Sequence, residues 1–245
     1  MTTPQSFEAI VLAGGLGTRL KPYTTVLPKP LMPVGGRPIL GIIIEQLQKA
    51  GATKVTLAVN YMADIIMAVL GDGARYGVPI TYSREEGALG TIAPLKLIDS
   101  LPEDFLVMNG DVLTKLDPAE LCRAHRASGC RLTIASCHRE VKIDFGVLDY
   151  DPSTNQLRGH TEKPTYKFSV SMGMYVMNRS LLDTIAPGVP YGVDRLALDM
   201  LARKEPINIF PYAGFWLDLG RPSDFDTANA QVHELGLVST NESPE

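Results

Sequence analysis

The stretch FEAIVLAGGLGTRL, residues Phe7–Leu20, decides the fold. Its first six residues form an apolar run that is typical of a buried strand. The glycines after it predict a loop whose backbone N–H groups converge on an anion, because no Cβ keeps the ligand away. Arg19 and, further along, Lys29 place two cations beside that loop. The pattern therefore predicts a cradle for a polyphosphate at the end of the first strand.

Two better-known glycine motifs do not fit this loop. The dinucleotide fingerprint Gly-x-Gly-x-x-Gly needs glycine or alanine where Leu20 stands, and Pro22 prevents a clean helix start. This mismatch weakens a dehydrogenase interpretation. The P-loop sequence Gly-Lys-Ser/Thr is absent. A tight loop without a ligand is the structural alternative, but it leaves Arg19 and Lys29 unexplained.

A longer stretch carries a resemblance to a known family. Residues 12–20, LAGGLGTRL, followed by PKPLMPV at 28–34, resemble the signature of sugar-1-phosphate nucleotidyltransferases, also called nucleoside-diphosphate-sugar pyrophosphorylases. The likeness is greatest to mannose- and heptose-1-phosphate guanylyltransferases, and further matches extend it to about residue 230. The resemblance implies an enzyme that joins an NTP to a sugar 1-phosphate. It also implies nucleotide contacts at Leu12, Ala13, Gly14, Gly15, Gly17, Thr18, Arg19 and Lys29.

Strand and helix patterns alternate along the chain, which predicts an α/β fold with a Rossmann-like, mainly parallel mixed sheet flanked by helices. The resemblance implies the GT-A-like nucleotidyltransferase form of that fold. Strands at 145–150, 157–162 and 168–177, with polar turns between them, predict a small antiparallel layer on the sugar side. Helices are predicted at 39–50, 61–70, 91–98, 117–128, 193–203 and 222–235. We expect one domain over 1–235, with a nucleotide half at 7–115, a sugar half at 116–235 and a polar tail at 236–245.

Two strands are followed by a carboxylate within two residues of a glycine. Asn109-Gly110-Asp111 and Asp218-Leu219-Gly220 each follow an apolar run. The carboxyl ends of parallel strands meet at one edge of a sheet, and carboxylate oxygens suit a hard divalent cation. From the residues alone, the alternative is that each aspartate caps a turn. The resemblance implies that Asp111 and Asp218 are paired Mg²⁺ ligands, with the metal bridging the sugar phosphate and the nucleotide α-phosphate.

The sequence Thr161-Glu162-Lys163-Pro164 closes a predicted strand. By composition it is an exposed ion pair of little energetic weight. The resemblance implies that Lys163 grips the sugar phosphate, that Glu162 bonds sugar hydroxyls, and that Arg19, Lys29 and Lys163 are the catalytic cations. It also implies a sugar pocket lined by Asn109, Gly146, Ser171 and Gly173. Ser171 departs from the asparagine common in the family, which leaves the identity of the sugar open.

Residues 85–93, EEGALGTIA, predict a loop beside the base. Either Glu85 or Glu86 is suited to accept hydrogen bonds from guanine N1–H and its amino group. The sequence Leu89-Gly90-Thr91 resembles guanylyltransferases more than thymidylyltransferases, although Ile92-Ala93 replaces the family's usual Ala-Gly. GTP is therefore favoured and dTTP is the alternative. Further predicted nucleotide contacts are Glu85, Gly90, Thr91 and Asp111.

Composition excludes several classes of protein. The chain has 245 residues and a formal net charge of −4, which gives no reason to expect a nucleic-acid partner. No apolar run reaches membrane-spanning length, and Met1–Ser6 lacks a signal-peptide core, so we expect a cytoplasmic protein without a membrane partner. Three cysteines with no paired or zinc-like spacing predict ordinary packed or surface thiols.

Two other functions are alternatives to a nucleotidyltransferase. A nucleotide-sugar glycosyltransferase normally shows Asp-x-Asp at a strand end, whereas Asp149-Tyr150-Asp151 falls near a turn. A regulatory module that binds nucleotide sugars without catalysis is a further alternative, but every expected cationic and acidic position is present. The resemblance implies an NTP and a sugar 1-phosphate as partners and a homo-oligomer, dimer or tetramer. Mannose, a heptose, glucose and a cyclitol all remain open as the sugar.

Overall fold

A seven-stranded sheet forms the centre of the computed structural model, which describes residues 6–85, 87 and 89–238. The strands are β1 Phe7–Leu12, β2 Pro33–Val34, β3 Arg37–Pro38, β4 Ala52–Val59, β5 Ile80–Arg84, β6 Asp104–Asn109, β7 Val112–Thr114, β8 Leu132–Lys142, β9 Val147–Asp151, β10 Gln156–Thr161, β11 Thr165–Asn178, β12 Asn208–Pro211 and β13 Trp216–Asp218. The α-helices are α1 Ile39–Lys49, α2 Ala63–Leu70, α3 Pro118–Ser128, α4 Val193–Ala202 and α5 Pro222–Gln231.

The sheet is mainly parallel, as the sequence predicts. Its strand order is β12-β8-β11-β6-β1-β4-β5, and β11 is the strand that runs against the other six. Three small antiparallel pairs accompany it: β9 with β10, β7 with β13, and β2 with β3. The helices pack on this sheet and bury the apolar core on both of its faces.

The local signals for helix ends are confirmed at α3. The Asp117 side chain accepts a hydrogen bond from the Ala119 N–H at 2.9 Å, and Pro118 occupies the first turn, where its missing N–H costs nothing. Gly129 ends the helix with φ 63°, a conformation that glycine adopts without steric cost. Helix α1 likewise begins after Pro38 and buries its isoleucines and leucines in the core.

One predicted layer is wrong in part. The strand expected at 168–177 belongs to the central sheet, where residues 174–178 of β11 pair with β6. The reason is burial: Met174–Met177 are buried, so this stretch needs cover on both faces. Residues 165–171 of β11 instead pair with residues 136–142 of β8, and the register shifts between Ser171 and Tyr175. The separate antiparallel layer reduces to the β9–β10 hairpin.

Two predicted helices are shorter in the structure. The helix expected at 91–98 is a 3-10 helix over Ala93–Leu97, because the N–H groups of Ile92 and Ala93 donate to Tyr191 O at 3.0 and 3.2 Å. The closing helix ends at Gln231 rather than at residue 235. Within the tail predicted to be polar, Val238 is buried in the core, and residues 239–245 lie outside the described part.

Backbone hydrogen bonds join the carboxyl ends of three neighbouring strands. The Gly110 N–H, after β6, donates to Leu12 O at 2.9 Å, and the Ala13 N–H, after β1, donates to Ala58 O at 2.8 Å. The predicted common edge is therefore confirmed. The three cysteines are free thiols. Among the described helices, none combines the length and apolar character that a membrane crossing requires.

Candidate functional site

A cleft of about 650 Å³ opens at this edge of the sheet. It lies between the loop after β1, the ends of β4 and β6, and the segment after β5. The predicted residues that line it are Leu12, Ala13, Gly14, Gly15, Gly17, Thr18, Lys29, Glu85, Gly90, Thr91, Asn109 and Asp111. Arg19 lines an adjoining cavity of about 230 Å³, together with Gly15, Gly17, Lys29 and Asp111. The structure thus brings every residue predicted to contact the nucleotide to one place.

The glycine loop is braced from behind by Thr24. Gly17 has φ 59°, and a Cβ there would lie 2.8 Å from the Thr24 methyl group, so glycine is required. Thr24 is buried, and its hydroxyl donates to Gly17 O at 2.9 Å. The Tyr61 hydroxyl in turn donates to Thr24 O at 3.2 Å. Nothing in the sequence pattern around Thr24 distinguishes this brace from an ordinary turn.

The two predicted metal ligands are neighbours. In the β7–β13 pair, Asp218 lies opposite Val112, and the Leu219 N–H donates to Asp111 O at 3.0 Å. Burial and, after it, the Asp111 charge raise the pKa of Asp218, while Lys29 and Arg19 act in the opposite direction. The Lys29 Nζ contacts Asp111 Oδ2 directly, and Lys29 is itself buried. Lys29, Asp111 and Arg19 therefore line the cleft or its adjoining cavity, whereas Asp218 lies beside Asp111 but lines neither of them.

This donor set fits Mg²⁺. In the described part of the chain, no group of three or more acidic, histidine or cysteine side chains is arranged to hold a metal. Magnesium commonly needs only one or two carboxylates, because substrate phosphates and water complete its six ligands. Asp111 and Asp218 supply hard oxygen donors, and burial and, after it, the Asp111 charge raise the pKa of Asp218. Metal binding by the pair stays a prediction.

Glu85 lies at the end of β5, with its carboxylate against Gly14. A Cβ at Gly14 would be 2.5 Å from Glu85 Oε1. Burial raises the pKa of Glu85, against hydrogen bonds from the Leu89 N–H and the Asn60 side chain. Its Oε2 is buried and has no hydrogen-bond partner among the described residues. Glu86, the other candidate for base recognition, lies outside them.

Asn60 also lines the cleft, and the sequence motifs gave no sign of it. It directly follows β4, and its Nδ2 donates to Gly87 O at 2.6 Å, across to the base-side loop. Its position alone could have indicated Asn60, because it is a polar residue at the end of an apolar strand. That strand, β4, runs parallel to β1. Such strand ends are where ligands gather in α/β sheets.

Three predicted sugar-side residues meet at the β6–β11 contact. Gly173 has φ 73°, and a Cβ there would lie 2.7 Å from Asn109 Nδ2, so the strands approach closely only with glycine. The Gly173 N–H points at Ser171 Oγ, 3.4 Å away. Ser171 Oγ is also 3.0 Å from the Tyr175 hydroxyl. Because Asn109 lines the cleft, this group borders it.

The other sugar-side residues lie on the β9–β10 hairpin. A Cβ at Gly146 would meet His160 Nε2 at 2.5 Å and Glu162 Oε2 at 3.1 Å, so Gly146 and Glu162 are in contact range. Lys163 has φ 42°, its side chain is exposed, and its Nζ is 3.9 Å from Glu162 Oε1. None of Gly146, Glu162 and Lys163 lines the 650 Å³ cleft in the described structure. Their role toward a sugar stays a prediction.

A glycine loop at the carboxyl edge of a mainly parallel sheet, beside paired carboxylates, a buried lysine and an exposed arginine, is typical of α/β nucleotide-binding proteins. The family model named Nucleotidyl transferase matches residues 8–234. The chain therefore belongs to the nucleotidyltransferase family, which confirms the resemblance seen in the glycine-loop signature.

Several curated relatives carry the same name. Mannose-1-phosphate guanyltransferases of Debaryomyces hansenii and Saccharomyces cerevisiae are 37% and 36% identical to this chain over 226 residues. Each alignment covers 89% of this chain and 62% of the relative. The chain thus spans less than two thirds of the length of these relatives.

Solved structures share the fold. HddC from Yersinia pseudotuberculosis has a TM-score of 0.71 at 24% identity, covering 92% of this chain and 99% of the other. A Bacillus anthracis structure named for a glucose-1-phosphate thymidylyltransferase has a TM-score of 0.74 at 21% identity, covering 96% and 98%. At these identities the two structures support the architecture alone.

Proposed function

We propose that this protein transfers a guanylyl group from GTP to a sugar 1-phosphate and releases pyrophosphate. The observation that carries the proposal is the convergence of the glycine loop, Lys29, Asp111 and the Glu85 carboxylate on one cleft. The relatives named mannose-1-phosphate guanyltransferases support the same reaction class. They also make mannose 1-phosphate the first acceptor to test.

The choice of GTP rests on Glu85. Guanine presents two adjacent donors on its Watson–Crick edge, N1–H and the N2 amino group, which match the two oxygens of one carboxylate. Thymine presents a single N–H between two carbonyl acceptors, so the second carboxylate oxygen would face a like partial charge. Glu85 lines the cleft, and its Oε2 has no hydrogen-bond partner among the described residues, so a side-chain rotation that turned both oxygens toward the cleft would give Oε2 a partner. The alternative, dTTP, leaves that oxygen unsatisfied.

The reaction we propose is an in-line displacement at the α-phosphorus. An oxygen of the sugar phosphate forms the new P–O bond, and the bond between the α-phosphorus and the oxygen bridging to the β-phosphate breaks. The nucleophile is already an anion, so no general base is required. The protein's contribution is position and charge neutralisation.

Named residues of this chain would supply that neutralisation. Arg19 and Lys29, beside the glycine loop, would hold the β- and γ-phosphates and stabilise the departing pyrophosphate. Asp111 and Asp218 would hold Mg²⁺, which when bound supplies Lewis-acid charge stabilisation at the phosphates. Lys163 would pair with the phosphate of the sugar, and Glu162 would accept from its hydroxyls. The short Ser171 side chain, backed by Tyr175, would shape the acceptor pocket.

A matrix of nucleotides against sugar phosphates tests the proposal. GTP, dTTP, UTP, ATP and CTP are each mixed with mannose, glucose and heptose 1-phosphates and Mg²⁺, and pyrophosphate release is measured. We expect release with GTP to exceed release with every other nucleotide for at least one acceptor. Release with dTTP above GTP would favour the thymidylyltransferase alternative. Nucleotide binding without release for any acceptor would favour a regulatory module and overturn the proposal.

A further inference from the structure

We propose that Asn60 is a positioning residue for base selection: its side-chain amide holds Glu85 and the tip of the base-side loop in place. The inference rests on the proposed function and adds to it a residue outside the glycine loop and the acidic pair. The observations behind it are the hydrogen bond from Asn60 Nδ2 to Gly87 O and the position of Asn60 beside both Gly14 and the Glu85 carboxylate that lies against Gly14.

Asn60 is itself fixed by the sheet. It follows β4 directly, and its carbonyl accepts from the Ala63 N–H at 3.2 Å as helix α2 begins. Met62, between them, has φ 54°, a conformation that is rare for a residue with a side chain. A tight turn of this kind holds the Asn60 backbone in one orientation. The amide is therefore presented from a rigid support rather than from a loop.

The base-side loop is attached at both of its ends by backbone bonds. The Glu85 N–H donates to Val59 O at 3.1 Å, and at the other end Tyr191 donates to Leu89 O at 2.8 Å. Between these ends lies Gly87, which is exposed, has φ 90°, and has no atom within 4 Å of a built Cβ. Among the described contacts, the Asn60 Nδ2 bond to Gly87 O, at 2.6 Å, is what holds the tip.

The same amide lies beside the Glu85 carboxylate. Burial raises the pKa of Glu85, and the Leu89 N–H and, after it, the Asn60 amide oppose that effect. Asn60 also lies against the phosphate loop, because its Cβ is 3.2 Å from the position of a Cβ at Gly14. Removing the amide would leave both ends of the loop attached but release its tip and the carboxylate together. Guanine would then lose its fixed acceptor, while the phosphate cradle would remain.

Two substitutions at one position test this role. Asn60→Ala removes the amide, and Asn60→Asp keeps its shape but removes the N–H donors and adds a charge facing Glu85. The kcat and KM for GTP and for dTTP are measured on the full chain with the best acceptor. We expect Asn60→Ala to raise the KM for GTP about tenfold or more, with kcat within about twofold. The preference for GTP over dTTP falls by the same factor, and Asn60→Asp has the larger effect.

Asn178→Ala is the matched control. Its Nδ2 donates to Asp104 at 2.9 Å and its Oδ1 accepts from the Ser180 N–H at 3.1 Å, at the opposite end of β6 from the cleft. This variant loses comparable hydrogen bonds and is expected to lower the melting temperature without changing the GTP preference. A preference that falls equally in the control would assign the Asn60 effect to general destabilisation.

The outcomes separate this inference from the proposed function. Wild-type protein that discriminates GTP from dTTP, with both Asn60 variants keeping that ratio, would overturn the inference alone. A larger loss in Asn60→Ala than in Asn60→Asp would point to packing and also overturn it. Wild-type protein that neither binds GTP nor releases pyrophosphate would overturn the proposed function, and the role of Asn60 with it.

Discussion

Gly14→Ala is the substitution that most directly tests how the cleft reads the base. The new methyl group would lie 2.5 Å from Glu85 Oε1 and 3.2 Å from Asn60 Cβ. No side-chain carbon tolerates the first distance, so the Glu85 carboxylate must move. The atom that gives way is the end of a flexible side chain, and Gly14 does not have a positive φ. We therefore expect the protein to fold while its base-recognising group is displaced.

The size of the effects on stability and on GTP binding follows from these contacts. Moving one side chain off its preferred torsions costs about 0.5–1.5 kcal/mol, so the melting temperature should fall by only a few degrees. Loss of hydrogen bonds to a charged group costs about 1.5–3 kcal/mol, which corresponds to roughly a tenfold to hundredfold weaker binding of GTP. The loss should fall on GTP and largely spare dTTP, because thymine does not use both oxygens of the carboxylate.

Gly15→Ala is the internal control for this substitution. A Cβ at Gly15 meets no atom within 4 Å, so nothing in the protein has to move. Any effect of that methyl comes from contact with the phosphates, which every nucleotide shares. The assay is steady-state pyrophosphate release with GTP and with dTTP for both variants. A GTP to dTTP ratio in Gly14→Ala that equals the ratio in Gly15→Ala would refute base recognition by Glu85.

Three further predictions concern charge. Asp111→Asn should lower kcat by about a hundredfold or more while nucleotide binding persists, because a ligand of the proposed metal is lost; wild-type turnover in this variant would contradict the metal assignment. Lys163→Ala should chiefly raise the KM for the sugar phosphate, and an unchanged KM would remove Lys163 from the site. Because burial raises the pKa of Glu85, the KM for GTP should rise as the pH falls through that pKa, when the protonated carboxyl no longer accepts two hydrogen bonds. Glu85→Gln should abolish this pH dependence, and a parallel rise in the variant would trace it to another group.

The parts of the site that the sequence predicts are those encoded locally. An apolar run followed by glycine or aspartate marks a strand that ends at the ligand edge, and that pattern alone indicated Gly14–Gly17 and Asp111. The wrong placement of the strand at 168–177 has the opposite origin. The pairing of β11 with β6 joins residues about 70 positions apart, and no local pattern encodes it.

The sequence did not predict the residues that support the site, because their roles depend on contacts in the folded chain. Thr24 is recognised only by its bond to Gly17 O, and Asn60 only by its reach to Gly87 O. Tyr191 fastens the base-side loop through its backbone N–H and C=O, a role that any residue except proline can fill, so its identity carries little signal. Sequence motifs report the groups that touch substrate, because chemistry restricts their type. The residues that hold those groups in place are restricted in position by geometry, which only the folded structure shows.

Charge compensation explains why this site is stable before any substrate arrives. Burial raises the pKa of Asp218, and the charge of the neighbouring Asp111, which repels that of Asp218, raises it further. Lys29 is buried against Asp111, whereas Arg19 is exposed and lies beside Gly220. Removing Lys29 would leave a partly buried carboxylate pair uncompensated, so it should damage folding as well as catalysis. Arg19 is exposed to solvent, and its charge opposes the rise in the pKa of Asp218 less than that of Lys29 does. We therefore expect removal of Arg19 to destabilise the fold less than removal of Lys29.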